Sequence, residues 1–333
     1  MINAAIIGLG WWGKNIVNAV QGKSDKIRFV HGVSHEPDSV RDFAREKGFT
    51  LSISLEAALA DPQVQAIALA TPHSTHRKLV EQVAAAGKAV FCEKPFALKF
   101  ADALAMTEAC KNAGVAIAVG QNKRFWPSMV ELRRVVASGV LGRVLHIEGH
   151  YSNENSSNFF APWRDLPSET PGAGMTGTGI HILDAFTNLA GPTAEVSAQF
   201  ISTRAGHNPL DTVSVLFRFA NGVSGFLGAV RASPFYWRVH VFGDQGSVEA
   251  LGETDCITRL SSSNGSNGSS GGKTERKEFP KIDSLLAEFD LFADAVAGKA
   301  PYLITPDEMV NTIGAFEAIT TSIETGKPVK LAA

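Results

Sequence analysis

The chain has 333 residues, 44% hydrophobic and 19% charged, which is enough for two domains that each bury a core. A formal net charge of -2 leaves no basic surplus for nucleic acid and no polybasic patch for a membrane. Cys92, Cys110 and Cys256 lie far apart with no C-x-x-C spacing, and no apolar run reaches the roughly 20 residues that span a bilayer, so a disulfide framework, a zinc site and a membrane helix are not expected and a reduced cytoplasmic setting fits.

The N-terminus enters a short apolar run, Ala4–Ile7, followed at once by Gly8-Leu9-Gly10-Trp11-Trp12-Gly13 and a helix-like stretch, Lys14–Val20. This is G-x-G-x-x-G in the setting of strand, turn and helix that a dinucleotide site requires. Gly8 permits the tight turn, Gly10 lets the backbone approach a pyrophosphate, and Gly13 lets the helix pack on the strand. The helix N-terminus then offers N–H groups and partial positive charge to the phosphates. Leu9, Trp11 and Trp12 fill the turn and count with the cofactor-binding set.

The second strand reads Ile27–Ser34. An NAD site usually has an acidic residue at this strand end, holding the ribose 2′-hydroxyl. Here the position reads Ser34-His35-Glu36-Pro37. Ser34 and His35 can donate to a 2′-phosphate, with Arg41 near, which favours NADP slightly. Glu36 restores NAD if the turn is shifted by two residues, so both cofactors stay open.

The βα rhythm continues. Ser54 opens a short helix, and Ala66–Ala70 is a buried strand ending in Thr71-Pro72-His73-Ser74-Thr75-His76. Thr71 and Pro72 lie where a nucleotide would rest. His73 and His76 lack an acidic or cysteine companion, so no metal is expected. Val90-Phe91-Cys92 then runs into Glu93-Lys94-Pro95, a lysine at a strand end where α/β sheets bind ligands. A helix, Ala101–Ala113, and a strand, Val115–Val119, ending in Gly120-Gln121-Asn122 complete a parallel, doubly wound sheet.

The glycine motif, Thr71-Pro72 with His76, Glu93-Lys94-Pro95 and Gly179-Ile180-His181-Ile182-Leu183-Asp184 come in an order that resembles the Gfo/Idh/MocA oxidoreductases over essentially the whole chain. The resemblance implies a Rossmann domain, residues 1–121, and a substrate and oligomerisation domain, residues 122–333, built on a large, mostly antiparallel open sheet. It implies that the last helices pack back on the first domain. It also implies NAD(P)-dependent hydride transfer at CH–OH groups of a sugar, polyol or inositol-like small molecule, and a homodimer or homotetramer through the C-terminal sheet. The E-K-P bond is expected to be cis. His76, Glu93, Lys94, Pro95 and Gln121 are expected to face the cofactor, and Asn122, Arg124, Trp163 and Arg164 the substrate.

Lys123–Ser138 reads as a linking helix, Arg143–Tyr151 as a strand, and Ser152–Thr176 as a long aperiodic segment. Family members commonly show D-x-G-x-H-x-x-D next, the first Asp and the His joining the lysine in catalysis. This chain keeps Gly179, His181 and Asp184, but the first Asp position is Gly177. The catalytic set expected is therefore Lys94, which polarises the substrate oxygen, His181, which moves its proton, and Asp184, which orients the imidazole, binds substrate or serves the helix. From Ala194 on, short alternating runs read as an antiparallel meander, with a Ser/Gly/Asn loop at 261–272. Two helices, Asp283–Val296 and one opened by the capping box Thr305-Pro306-Asp307-Glu308, end the chain. A dihydrodiol or aromatic-ketone reductase and a non-catalytic nucleotide sensor, favoured by Gly177, are the rival readings.

Overall fold

The computed structural model describes residues 1–154, 163, 166–172, 174–201, 212–231, 233–262 and 272–331. Two compact units result, Met1–Asn122 with Asp283–Ile313, and Lys123–Ile282 with Gly314–Ala333.

In the first unit, β1 (Ile2–Ile7), α1 (Trp11–Val20), β2 (Ile27–Val33), α2 (Arg41–Lys47), β3 (Thr50–Ser52), α3 (Leu55–Ala60), β4 (Ala66–Leu69), α4 (His76–Ala85), β5 (Ala89–Glu93), α5 (Phe100–Ala113) and β6 (Ile117–Gly120) alternate. Among the described residues the strands form one parallel sheet in the order β3-β2-β1-β4-β5-β6. That is the doubly wound order whose reversal point, between β1 and β4, is the place for a nucleotide. Both faces are covered, which is why β4 and β5 read as continuous apolar runs and are buried at every position. Ser54 caps α3 by accepting from Ala57 N at 3.4 Å, and Gly114 ends α5 in the left-handed conformation, φ +67°.

The second unit holds α6 (Pro127–Ala137), β7 (Val144–Ser152), α7 (Ile180–Ala190), β8 (Thr193–Ile201), β9 (Thr212–Phe219), β10 (Ser224–Val230), β11 (Tyr236–Gly243), β12 (Gly246–Leu251), β13 (Asp255–Leu260) and β14 (Lys273–Glu278). Two terminal helices follow in the chain, α8 (Ser284–Val296) and α9 (Pro306–Thr325), then β15 (Val329–Lys330).

The first unit takes in α8 beside the N-terminal strands and helices. Phe289 stacks on Phe91 with centroids 4.2 Å apart and meets Phe29 edge-on at 6.0 Å. Such aromatic pairs add about 0.5–1.5 kcal/mol each beyond the area they bury. The edge strand β6 is also tied down by this segment, with Tyr302 Oη donating to the Val119 carbonyl at 2.8 Å and Gln121 N donating to Glu288 Oε1 at 2.6 Å. The capping box of α9 is closed in both directions, Thr305 N to Glu308 Oε2 at 2.9 Å and Glu308 N to Thr305 Oγ1 at 3.2 Å.

The second unit's sheet runs β14-β13-β12-β11-β7-β10-β9-β8-β15 among the described residues. The expected meander holds for β8-β9-β10 and for β11 to β14, but β7 lies between the two runs and pairs with β10 in parallel. The sheet is therefore mixed and mostly antiparallel. Helix α7 packs closely on β7 because Gly149 has no side chain, and a Cβ there would lie 2.3 Å from Ile182 and 2.9 Å from Phe186. That contact fixes the height of α7, and with it His181, over the sheet.

Candidate active site

The nucleotide turn behaves as its glycines require. Gly8 has φ +92°, and a Cβ on it would lie 2.4 Å from the Ala70 carbonyl oxygen. A Cβ on Gly13 would lie 1.9 Å from the carbonyl oxygen of Gly8, so α1 can start here only with glycine at that position. Gly10 is different, for a Cβ on it would meet no atom of the described residues within 4 Å. The fold makes no demand there, and the open room at the N-terminus of α1 suits the close approach of a dinucleotide pyrophosphate. Leu9 is buried under the turn, while Trp11 is exposed and tilted against Trp12 with centroids 5.5 Å apart.

At the end of β2, Ser34 N donates to the Ser52 carbonyl at 3.1 Å, and Ser34 Oγ accepts from Glu36 N at 3.2 Å. His35 is exposed, and Arg41 is paired with Asp38. The turn thus holds two carboxylates, Glu36 and Asp38, with its guanidinium committed to one of them.

His76 is fully buried, and its contacts run to backbone. Nδ1 lies 3.1 Å from the Pro95 oxygen and 3.2 Å from that of Phe96, and Nε2 lies 3.3 Å from the Thr71 oxygen. It pins the end of β4 to the turn after β5. In the same turn Thr71 Oγ1 lies 2.9 Å from Thr75 Oγ1, and Thr75 Oγ1 donates to the Pro72 oxygen at 2.6 Å.

β5 delivers Glu93, Lys94 and Pro95, and the Lys94–Pro95 bond is cis. Glu93 is buried, and its Oε2 accepts from Lys94 N at 3.1 Å. Its carboxylate has room because Gly120 faces it from β6, where a Cβ would lie 2.7 Å from Oε1. Lys94 itself is half-buried. Burial pushes the Cys92 thiol, one residue before Glu93, well above its ordinary range, and Cys110 and Cys256 are pushed up to about 12 by the same cause. None supplies a thiolate at neutral pH. Asn122 donates from Nδ2 to Ser284 Oγ at 3.1 Å.

In the second unit a π-helical turn, Met175–Gly179, leads directly into α7. Such turns recur at functional sites. His181, in the first turn of α7, is 7% exposed, and the Tyr151 ring of β7 lies 6.1 Å from its imidazole. Burial pushes the Tyr151 phenol up, so it stays protonated at neutral pH, and Asn153 Nδ2 donates to its oxygen at 3.2 Å.

Asp184 and Arg124 form a buried, two-pronged ion pair. Arg124 Nε donates to Oδ2 at 2.6 Å and Nη2 to Oδ1 at 2.9 Å, with a third bond from Nη2 to the Asp184 carbonyl at 3.1 Å. Both carboxylate oxygens are thus engaged, which suits a structural anchor for α7 better than a proton carrier. The same pair ties Arg124 to the first turns of α7. Trp163 is half-buried, and Arg164, with Phe159 and Phe160, lies outside the described residues.

Three residues of the second unit escape the sequence reading. Besides Tyr151, they are Lys123, whose Nζ lies 4.0 Å from the Trp126 ring centroid and 4.7 Å from that of Tyr151, and Arg231, 1% exposed. Arg231 follows β10 directly, a strand that is buried on one face only.

Comparison with known proteins decides the family. Residues 2–121 match the profile described as "Oxidoreductase family, NAD-binding Rossmann fold", and residues 129–249 match that described as "GFO/IDH/MocA C-terminal domain". The chain belongs to the Gfo/Idh/MocA family. It is an NAD(P)-dependent oxidoreductase of that family, with the two-sheet fold its members share. Among the curated relatives of this Gfo/Idh/MocA chain is scyllo-inositol 2-dehydrogenase (NAD(+)) of Bacillus subtilis strain 168, 28% identical, covering 99% of this chain and 96% of the relative. Another is 2,7-anhydro-N-acetylneuraminate hydratase of Escherichia coli K12, 27% identical over 75% of this chain and 67% of its own length. Levoglucosan dehydrogenase in complex with NADH and L-sorbose superimposes with a TM-score of 0.87 over 99% of both chains at 21% identity, a likeness of fold. Among the described residues no helix is long and apolar enough to cross a membrane.

Proposed function

We propose that the protein is a dehydrogenase or reductase of a sugar, polyol or inositol-like compound, with Lys94 and His181 as its catalytic residues. The observation that carries this reading is the retention of a half-buried lysine at the end of β5 and a buried histidine at the start of α7 in a chain of this family. A nicotinamide, when bound, would supply the hydride acceptor or donor for the carbinol carbon of the substrate. The Lys94 ammonium polarises the substrate oxygen and stabilises alkoxide charge, and an imidazole nitrogen of His181 takes the hydroxyl proton in oxidation and gives it back in reduction. Gly8, Gly10 and Gly13 and the first N–H groups of α1 would hold the pyrophosphate, with Ser34 and His35 at the ribose and Thr71, Pro72, Glu93, Pro95 and Gln121 along the strand ends. His76 and the Arg124–Asp184 pair position these elements.

For the cofactor we propose NAD(H), against the slight preference for NADP read from the strand end. Glu36 and Asp38 make that turn acidic and Arg41 is paired with Asp38, so a 2′-phosphate meets net repulsion. The ratio of kcat/KM for NAD+ over NADP+ tests this, and a ratio below one overturns it. A homodimer or homotetramer through the second unit's sheet is proposed with it, tested by sedimentation. The substrate class is tested by NAD+ reduction across sugars, inositols and cyclic diols after NADH binding has been shown. Gly177, which brings no carboxylate, favours the rival of a nucleotide-binding sensor, and turnover on none of the panel would establish that rival. Selective oxidation of the dihydrodiols would establish the aromatic-substrate reading.

A further inference from the structure

Successive inward positions of β7 meet α7 in two different ways. Residues two apart share one face of a strand, so Gly149 and Tyr151 both face the helix. Gly149 lets Ile182 and Phe186 close in, while the Tyr151 ring reaches the first turn, its centroid 6.1 Å from that of His181 at an interplanar angle of 60°. The Tyr151 ring is itself held by its neighbours. Trp237, opposite it in register on β11, packs edge-on with centroids 5.4 Å apart, and Phe235 does so at 6.0 Å. Lys123 Nζ lies 4.7 Å from the ring centroid, and Asn153 Nδ2 donates to the phenol oxygen at 3.2 Å. Tyr151 and Trp237 are 6% and 2% exposed, so the ring is a fixed wall and not a mobile surface group.

We infer that Tyr151 is a positioning residue for His181, its ring fixing the orientation of the imidazole and keeping water from one side of it. The inference rests on the proton-transfer role proposed for His181 above and adds the residue that sets its geometry. The role belongs to the ring, because burial pushes the phenol up so that it keeps its proton at neutral pH, and its oxygen already accepts from Asn153. An aromatic wall excludes water from the side of an imidazole that it covers, which disfavours the charged ring. Misplacing an acid–base group by about 1 Å can cost roughly a hundredfold in rate, so a residue that never touches substrate can still set kcat.

The test compares Tyr151→Phe, which keeps the ring, with Tyr151→Met, which keeps most of the volume without it. On the best substrate of the panel, kcat, KM, the pH dependence of kcat and the NADH dissociation constant are measured for each variant and the wild type. Tyr151→Phe should stay within about threefold of wild-type kcat with an unchanged pH profile, whereas Tyr151→Met should lose at least about tenfold in kcat with KM and NADH affinity within about threefold. In Tyr151→Met the acidic limb of the profile for oxidation, where His181 must be deprotonated, should move to higher pH by about half a unit or more, because water then reaches the imidazole. Equal losses in the two variants would assign the effect to the hydroxyl, and that outcome, a loss carried by KM, or an unchanged kcat in Tyr151→Met would overturn the inference. If Tyr151→Met does not fold, Phe235→Leu, at a position 48% exposed, loosens the same ring and should lower kcat about threefold or more with the same shift of the limb, and unchanged kinetics there would overturn it. If no compound is turned over although NADH binds, the dehydrogenase reading fails. The hold of Tyr151 on His181 is then read by NMR titration of the His181 imidazole in the NADH complex, its signal assigned by its loss in His181→Gln. A midpoint in Tyr151→Met at least about half a unit above that in Tyr151→Phe supports the inference, and equal midpoints overturn it.

Discussion

The guanidinium of Arg124 grips both carboxylate oxygens of Asp184, at 2.6 and 2.9 Å, with each side chain 4% exposed. Breaking such a pair leaves an uncompensated buried charge, and the cost is about 3–5 kcal/mol. Arg124→Ala and Asp184→Ala should each lower the melting temperature sharply, and Asp184→Asn should lose less. If Asp184→Asn keeps the wild-type melting temperature but loses turnover a hundredfold, Asp184 acts in the chemistry and not as an anchor.

The glycines of the nucleotide turn divide by function. Gly13→Ala forces a methyl to within 1.9 Å of the Gly8 oxygen, so it should destabilise the fold by at least the ~1–3 kcal/mol of an overpacked site. Gly10→Ala meets no atom of the described residues within 4 Å and should leave the melting temperature nearly unchanged while weakening NADH at least about tenfold. Thermal melts and fluorescence titration with NADH check both. Unweakened binding in Gly10→Ala would remove that residue from the cofactor site.

His76 serves both strand ends through backbone carbonyls. His76→Ala leaves the oxygens of Thr71, Pro95 and Phe96 without this partner and should cost about 1–3 kcal/mol. It should also loosen the Lys94 turn and lower kcat more than it raises the KM for NAD+. A change confined to that KM would assign His76 to the cofactor.

Acid sensitivity has an identifiable source on the second sheet. Arg238 Nη2 donates to His240 Nδ1 at 2.7 Å, which fixes the neutral ring with its proton on Nε2. Burial, with Arg238 and Arg259 facing it, pushes His240 down to about 4 against the pull of Glu249. An unfolded histidine titrates near 6.5, so between pH 6.5 and 4 the unfolded chain binds more protons and stability falls as pH falls. The loss attributable to His240 is of the order of 1–3 kcal/mol. Urea melts across this range should show a shallower slope for His240→Gln, and identical slopes would exclude His240 as the source.

Much of the first unit was legible because local rules decide it. A glycine turn between an apolar strand and a helix, Ser54 and Thr305 as caps, and Gly114 as a stop all depend on neighbouring residues. The sheet of the second unit was less so. β14 reads Lys-Thr-Glu-Arg-Lys-Glu and is held by its backbone ladder to β13 at an exposed edge, so no apolar alternation marks it. The parallel pairing of β7 with β10 and the place of α8 in the first unit are long-range choices, made by contacts such as Phe289 on Phe91. Lys94 and His181 stand out in the sequence by motif and position.

The central claim is that Lys94 and His181 carry the chemistry. Steady-state turnover of Lys94→Ala and His181→Ala on the best substrate of the panel, with the NADH dissociation constant measured for each, tests it most directly. The account predicts a fall in kcat of about 10²–10⁴ in each variant with NADH affinity within about threefold of wild type. Near-normal turnover in either variant would contradict it.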